Sequence, residues 1–310
     1  MKKAAKKLMA VSAAAMMLLS ASCGGTQNPP DETDAPGTEA EVITTEEKTE
    51  MIDTTAEATT QAGPSGQDKL AEIIRSAPEI TAKAVVQFNI PVPEGGLTNP
   101  QGGYTDGVYW YQMFMKRDND SNEQNNLCKM VKYDIAQKKI VKKSGDIKTN
   151  HSNDILYNAN TDRLYVVHNN PNRKLITPVN PETLEPEPSI ELPSLIYCMT
   201  YNPTHDRYVV GIAGGQDFMI MKPNFKGQKV CIATPLTKGY VTQGCTCDDN
   251  FIYFVLYNEN CITVYDWDGN FTTRINFSVG KLEPENISVV DGTIYIGVAS
   301  NGITVYKLKF

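Results

Sequence analysis

From about residue 80 to the C-terminus, apolar and polar residues alternate with period two, the pattern of half-buried β-strands. The exception precedes this region: Lys69–Ser76 (KLAEIIRS) has the spacing of a short amphipathic helix, closed by Ala77-Pro78. Within the strand-rich region one unit recurs. An Asp opens a turn and a Tyr follows two to four residues later inside a strand: Asp106/Tyr109, Asp162/Tyr165, Asp206/Tyr208, Asp249/Tyr253 and Asp291/Tyr295. The tyrosines are spaced by 56, 43, 45 and 42 residues. Asp with Gly or Asn neighbours suits the turn of a β-hairpin, and the Tyr then packs on the returning strand. A third strand is expected in each unit, seen at Met130–Asp134, Phe218–Met221, Ile262–Asp266 and Ile303–Tyr306. The longer first interval is accounted for by a polar insertion, Lys116–Asn126 (KRDNDSNEQNN).

A period of 40–50 residues with several strands per repeat predicts an all-β fold, a β-propeller, and five copies predict five blades. A sandwich, or a six-bladed ring with one unrecognised blade, is the alternative. The last repeat shows three strands, Ile287–Val290, Thr293–Ala299 and Gly302–Leu308, and lacks an outer one. Ile80–Val92 is an orphan strand at the other end. Pairing the two would close the ring and remove an open sheet edge.

The innermost strand of each blade runs along the central channel, so the repeat starts should converge on one mouth. These starts supply Gln101, His151, Asn153, Tyr197, Gln243 and Glu285, with Asp154 beside them. Convergent amides, carboxylates and an imidazole at a concave mouth are the expected ligand-binding residues. Polar groups there can also simply bind water or join adjacent blades. The runs Pro100–Gly107, His151-Ser152-Asn153-Asp154 with Tyr157-Asn158, Gln243-Gly244 and Pro284–Ile287 resemble a group of five-bladed propeller domains on Gram-positive bacterial surfaces. The resemblance covers about residues 99–310. It implies the same architecture and a shared channel site, and carries over no activity.

Charge changes the picture at the N-terminus. The net charge of −7 is uneven: residues 1–22 carry +4, residues 24–68 carry −10, and residues 69–310 carry −1. A near-neutral body excludes a basic nucleic-acid binder, and no later apolar run approaches the ~20 residues of a spanning helix. A basic start, the short apolar stretch Leu8–Leu19 and small residues before Cys23 form an export signal. The Ser20-Ala21-Ser22-Cys23-Gly24-Gly25 run resembles the lipobox of bacterial lipoproteins, although Ser20 stands where that family prefers Leu. The resemblance implies a diacylglycerol on the Cys23 thiol, whereas cleavage after Ser22 would give ordinary secretion. Residues 24–68, rich in Thr, Glu, Ala, Pro and Gly, have too little apolar surface to fold and predict a disordered acidic tether. The expected organisation is therefore a signal peptide over 1–22, a lipidated Cys and linker over 23–68, and the propeller domain over 69–310. The protein is expected to be a monomer, exposed outside the cell and held to the membrane through the lipid on Cys23.

The remaining chemistry is weaker. Glycoside hydrolysis needs two carboxylates across the scissile bond, and Asp154 and Glu285 are the acids at strand starts that could serve as catalytic residues. The six domain cysteines, at 128, 198, 231, 245, 247 and 261, show no C-x-x-C and read as small buried residues. A metal site joining some of them to His151 is conceivable, but no metal and no cofactor is expected. Asp118–Glu123 lacks the Gly and the spaced Glu of a calcium loop. The functional expectation is a binding domain for a saccharide or cell-wall glycan, with Tyr104 or Tyr197 stacking on a sugar face. A hydrolase or lyase and a protein-interaction scaffold are the alternatives.

Overall fold

The computed structural model describes residues 65–116, 127–212, 217–226, 229–231, 241–258 and 260–310. The signal segment, Cys23, nearly all of the acidic linker and residues 117–126 of the polar insertion lie outside them. Lys116, taken from sequence as the start of that insertion, ends the second strand of its blade.

The fold is all-β with one short helix: five sheets make five blades. Their inner strands are Leu97–Thr105, Asp154–Asn158, Ile196–Asn202, Val241–Cys247 and Pro284–Val290, for blades 1 to 5. Each inner strand neighbours the next, and blade 5 returns to blade 1. Within each blade the strands run outward in antiparallel order.

Five apolar clusters fill the five blade interfaces. Met113, Met130, Leu164 and Val166 pack between blades 1 and 2, and Leu156, Met199, Val210 and Met219 between blades 2 and 3. Phe218, Phe254 and Tyr265 pack between blades 3 and 4, and Trp110, Phe114 and Val305 between blades 5 and 1. The largest cluster, between blades 4 and 5, also takes in the helix.

The helix spans Gly66–Ser76, three residues earlier than the pattern suggested, because Ser65 and Asp68 form a capping box. Its buried face, Leu70, Ala71 and Ile74, lies among Phe251, Tyr253, Ile294 and Ile296.

The orphan strand closes the ring, and it does so in two steps. Glu79–Thr81 pairs parallel with Arg274–Asn276 at the outer edge of blade 4. Lys83–Ile90 then pairs antiparallel with the third strand of blade 5, Lys83 opposite Lys309 and Ile90 opposite Ile303. One N-terminal segment thus spans two blades.

The recurring Asp marks hairpin turns, as expected, with more than one role. The Asp106 carboxylate accepts from the backbone N–H of Val108 and Tyr109 at 2.8 and 2.7 Å. Asp162, Asp206 and Asp291 adopt φ of +52°, +51° and +46°, the left-handed conformation that a short polar residue tolerates. The tyrosines that donate to Asp162 and Asp206 are Tyr157 and Tyr201, which precede the turn on the inner strand.

Candidate functional site

The inner strands share an irregularity. The register against the second strand shifts between Pro100 and Gly103, between Ile196 and Cys198, between Thr242 and Gly244, and between Pro284 and Asn286. The residues left unpaired in these β-bulges include Gln101, Tyr197, Gln243 and Glu285. In blade 2 Asn153 N–H bonds to the Val167 carbonyl while Asp154 pairs with the same Val167. A bulge frees a side chain from the strict up-and-down alternation of a strand and re-aims it. Equivalent bulges at the starts of the inner strands therefore set Gln101, Tyr197, Gln243 and Glu285 apart from the ladder at corresponding positions of their blades, while His151 precedes its strand.

The members of the ring differ in how well they are satisfied. The Gln101 carbonyl accepts from Gln112 Nε2 at 2.5 Å and from Asn286 Nδ2 at 3.1 Å, joining blades 1 and 5. His151 Nδ1 accepts from Asn169 Nδ2 at 3.0 Å, Asn169 Oδ1 accepts from Arg173 Nε at 2.8 Å, and the Arg173 guanidinium lies 4.7 Å from the centre of the Tyr197 ring. This chain links blade 2 to blade 3 and covers one face of Tyr197. Gln243 donates to Glu283.

Two groups are left over. The Asn153 side chain is 8% exposed, and its Nδ2 has no acceptor among the described residues. Glu285 is also 8% exposed, and no hydrogen bond from the described residues offsets the burial of its carboxyl. Burial, and then the neighbouring charge of Glu283, push the Glu285 carboxyl well above the usual carboxylate range.

Asp154 occupies a different place, a waist below the mouth. Its Oδ2 accepts from the backbone N–H of Met199 and of Cys245, both at 3.2 Å, and Oδ1 accepts from Ile155 N–H at 3.0 Å. The inner edges of blades 3 and 4 thereby find an acceptor that no neighbouring strand supplies. Blade 1 comes close as well: Gly102 donates to the Ser152 carbonyl at 2.9 Å, and a Cβ on Gly102 would lie 2.6–2.7 Å from the Asp154 backbone. Complete burial drives the Asp154 carboxyl far above its ordinary range, against the pull of these hydrogen bonds. Both proposed acids are thus pushed the same way, while glycoside hydrolysis works with carboxyls pushed apart.

Below the waist, where the inner strands end, lies a cavity of about 230 Å³ reached by all five blades. Tyr104, Leu156, Tyr201, Cys245, Cys247 and Ile287 are among its lining residues. Tyr104 belongs here and not at the mouth, because its strand already begins at Leu97. It stacks between Tyr111 and Tyr157, with ring centres 6.3 and 6.0 Å apart. It is therefore unavailable for stacking on a sugar at the mouth.

Sequence reasoning missed Asn169 and Arg173, and at the fifth repeat start selected Glu285 but not Glu283. The first two sit in the loop before Leu175–Val179, a third strand of blade 2 that the alternation had not revealed. Glu283 lies one residue ahead of its strand, and only its closeness to Gln243 exposes its role.

No family model matches the chain, and no curated protein matches it. Among solved structures it is similar to the glutaminyl cyclase of Myxococcus xanthus, with 11% identity and a TM-score of 0.53, covering 74% of this chain and 97% of that one. It also matches the virginiamycin B lyase of Staphylococcus aureus, with 14% identity and a TM-score of 0.39 over 72% and 69% of the two chains. A nidogen/laminin complex matches with 8% identity and a TM-score of 0.44 over 64% and 74%. At these identities the cyclase likeness supports the propeller fold and nothing about activity.

Proposed function

We propose that this is an extracytoplasmic binding protein, tethered through a lipid on Cys23 and an acidic linker, whose propeller takes a saccharide or cell-wall glycan at the channel mouth. One observation carries the reading: among the described residues the buried Asn153 Nδ2 has no acceptor, and at another strand-start bulge the Glu285 carboxyl receives no hydrogen bond from them. Burying the Asn153 amide unpaired costs about 1–3 kcal/mol. A polyhydroxylated ligand offers both donors and acceptors at short spacing and would pair the amide while replacing solvent at the carboxyl. Arg173, held by Asn169 over Tyr197, adds a cationic edge to the same mouth. The tether is supported by the lipobox-like run and the acidic composition of residues 24–68.

Catalysis by Asp154 and Glu285 is the weaker reading, because both oxygens of Asp154 are already occupied by backbone donors. A glycan array followed by thermal shift on the full chain tests the proposal. A ligand should raise the melting temperature of the wild type and leave that of Glu285→Ala and Gln243→Ala unmoved. Turnover of the bound glycan that Asp154→Asn abolishes would instead establish a hydrolase or lyase. Absence of any glycan that shifts the wild type would sink the reading.

A further inference from the structure

The waist holds a second group of side chains that the mouth does not use. Asp154, Cys198 and Cys245 come from blades 2, 3 and 4, are all buried, and bring one carboxylate oxygen and two thiol sulfurs within 4.8 Å of one another. We propose that these three residues form a site for a thiophilic divalent cation, zinc in the first instance, whose fourth position opens on the far-end cavity.

The ligand set suits such an ion. Zinc takes thiolate and carboxylate together, and three protein ligands with one open position are the pattern of a site that binds something further. The carboxylate is held in place by its three backbone donors, two on Oδ2 and one on Oδ1, so a metal would meet a fixed group whose Oδ1 keeps a lone pair for coordination even though neither oxygen is free of donors. Cys198 is equally confined: a Cβ on Gly211 would come within 2.6 Å of its sulfur, and glycine at that point leaves the thiol its room. Cys245 points its thiol towards Asp154 Oδ2 at 3.9 Å and lines the cavity, which gives the ion a route and the fourth position a neighbour.

Among the described residues no salt bridge pairs Asp154 with a cation, and a buried carboxylate needs a counter-charge or a proton. When a dication enters, the two thiols give up their protons to solvent, and so does the carboxyl where it is protonated; one dication with two thiolates and one carboxylate then carries −1.

The test uses the full chain, reduced and stripped of metal. Titration with Co²⁺ should give one equivalent of a tetrahedral cobalt spectrum with a sulfur-to-cobalt charge-transfer band, and Zn²⁺ should displace it. Cys198→Ser, Cys245→Ser and Asp154→Asn should each weaken cobalt binding by more than the roughly 100-fold that loss of an outer-shell partner costs. Cys231→Ser, another buried thiol, should leave it unchanged. Should a ligand variant fail to fold, the wild type still decides: Zn²⁺ should protect Cys198 and Cys245 from alkylation, and a chelator should remove that protection. No charge-transfer band, a band that survives both cysteine variants, or a Cys198–Cys245 disulfide in the protein as isolated would each overturn the site.

Discussion

The mouth and the waist of the channel place a buried carboxyl a short way apart along the same axis, and treat it oppositely. At the waist, Asp154 receives three backbone hydrogen bonds from three blades. At the mouth, Glu285 is nearly as buried, sits near a second acid, and receives none among the described residues. A satisfied buried carboxyl holds the ring together. One without such donors contributes nothing of the kind. Burial alone therefore does not distinguish the two carboxyls; the count of donors does.

The sharpest test of the contrast is Asp154→Ala. It strands the Met199, Cys245 and Ile155 N–H groups and should destabilise the protein by about 3–5 kcal/mol. Urea unfolding checks this, and a loss below 1 kcal/mol would deny the waist its structural role. Next in size is Gly102→Ala, whose new Cβ would press on the Asp154 backbone. Overpacking of this kind should cost about 1–3 kcal/mol, read from the same curves.

Glu285→Gln should move the other way. The Glu285 carboxyl is raised in the folded state, so the wild type loses stability as pH climbs from the ordinary carboxylate range towards the raised value. The Gln variant lacks that titration and should be about 1 kcal/mol more stable near neutral pH, with no difference in acid. Urea midpoints across the pH range settle the sign, and a variant less stable than wild type at neutral pH would break the comparison. The smallest effect is expected for Arg173→Ala, within about 0.5 kcal/mol of wild type because only the neighbouring side chains lose a partner. Its consequence should appear in ligand affinity, measured by calorimetry.

How much of this the sequence reveals depends on whether a feature repeats. The Asp-to-Tyr unit, the blade count and the closing strand are repeated or symmetry-required, and they were legible. Gln101, Tyr197, Gln243 and Glu285 were selected because repeat starts align, although nothing in their spacing announced that they were bulges. Tyr104 was misassigned because Pro100 and two glycines obscure a strand that begins at Leu97. Arg173 lies in a loop before a strand with a proline at position 178, where alternation is hard to see. The Asp154, Cys198 and Cys245 group was invisible for another reason. Its members are 44 and 47 residues apart, about one repeat each, so curvature of the ring rather than local spacing assembles them.

The strand Lys83–Ile90 has a consequence for how the molecule is made. Its partner ends at Lys309, so this strand, made second in the domain, waits unpaired through synthesis of more than two hundred residues. Four blades can form while the chain is still emerging, but the fifth cannot be completed by local sequence. Closure is the slowest contact by sequence separation, and until it happens both Lys83–Ile90 and the last hairpin present open edges to any neighbour. A nascent ring is thus most exposed to mispairing at the very place that later makes it continuous.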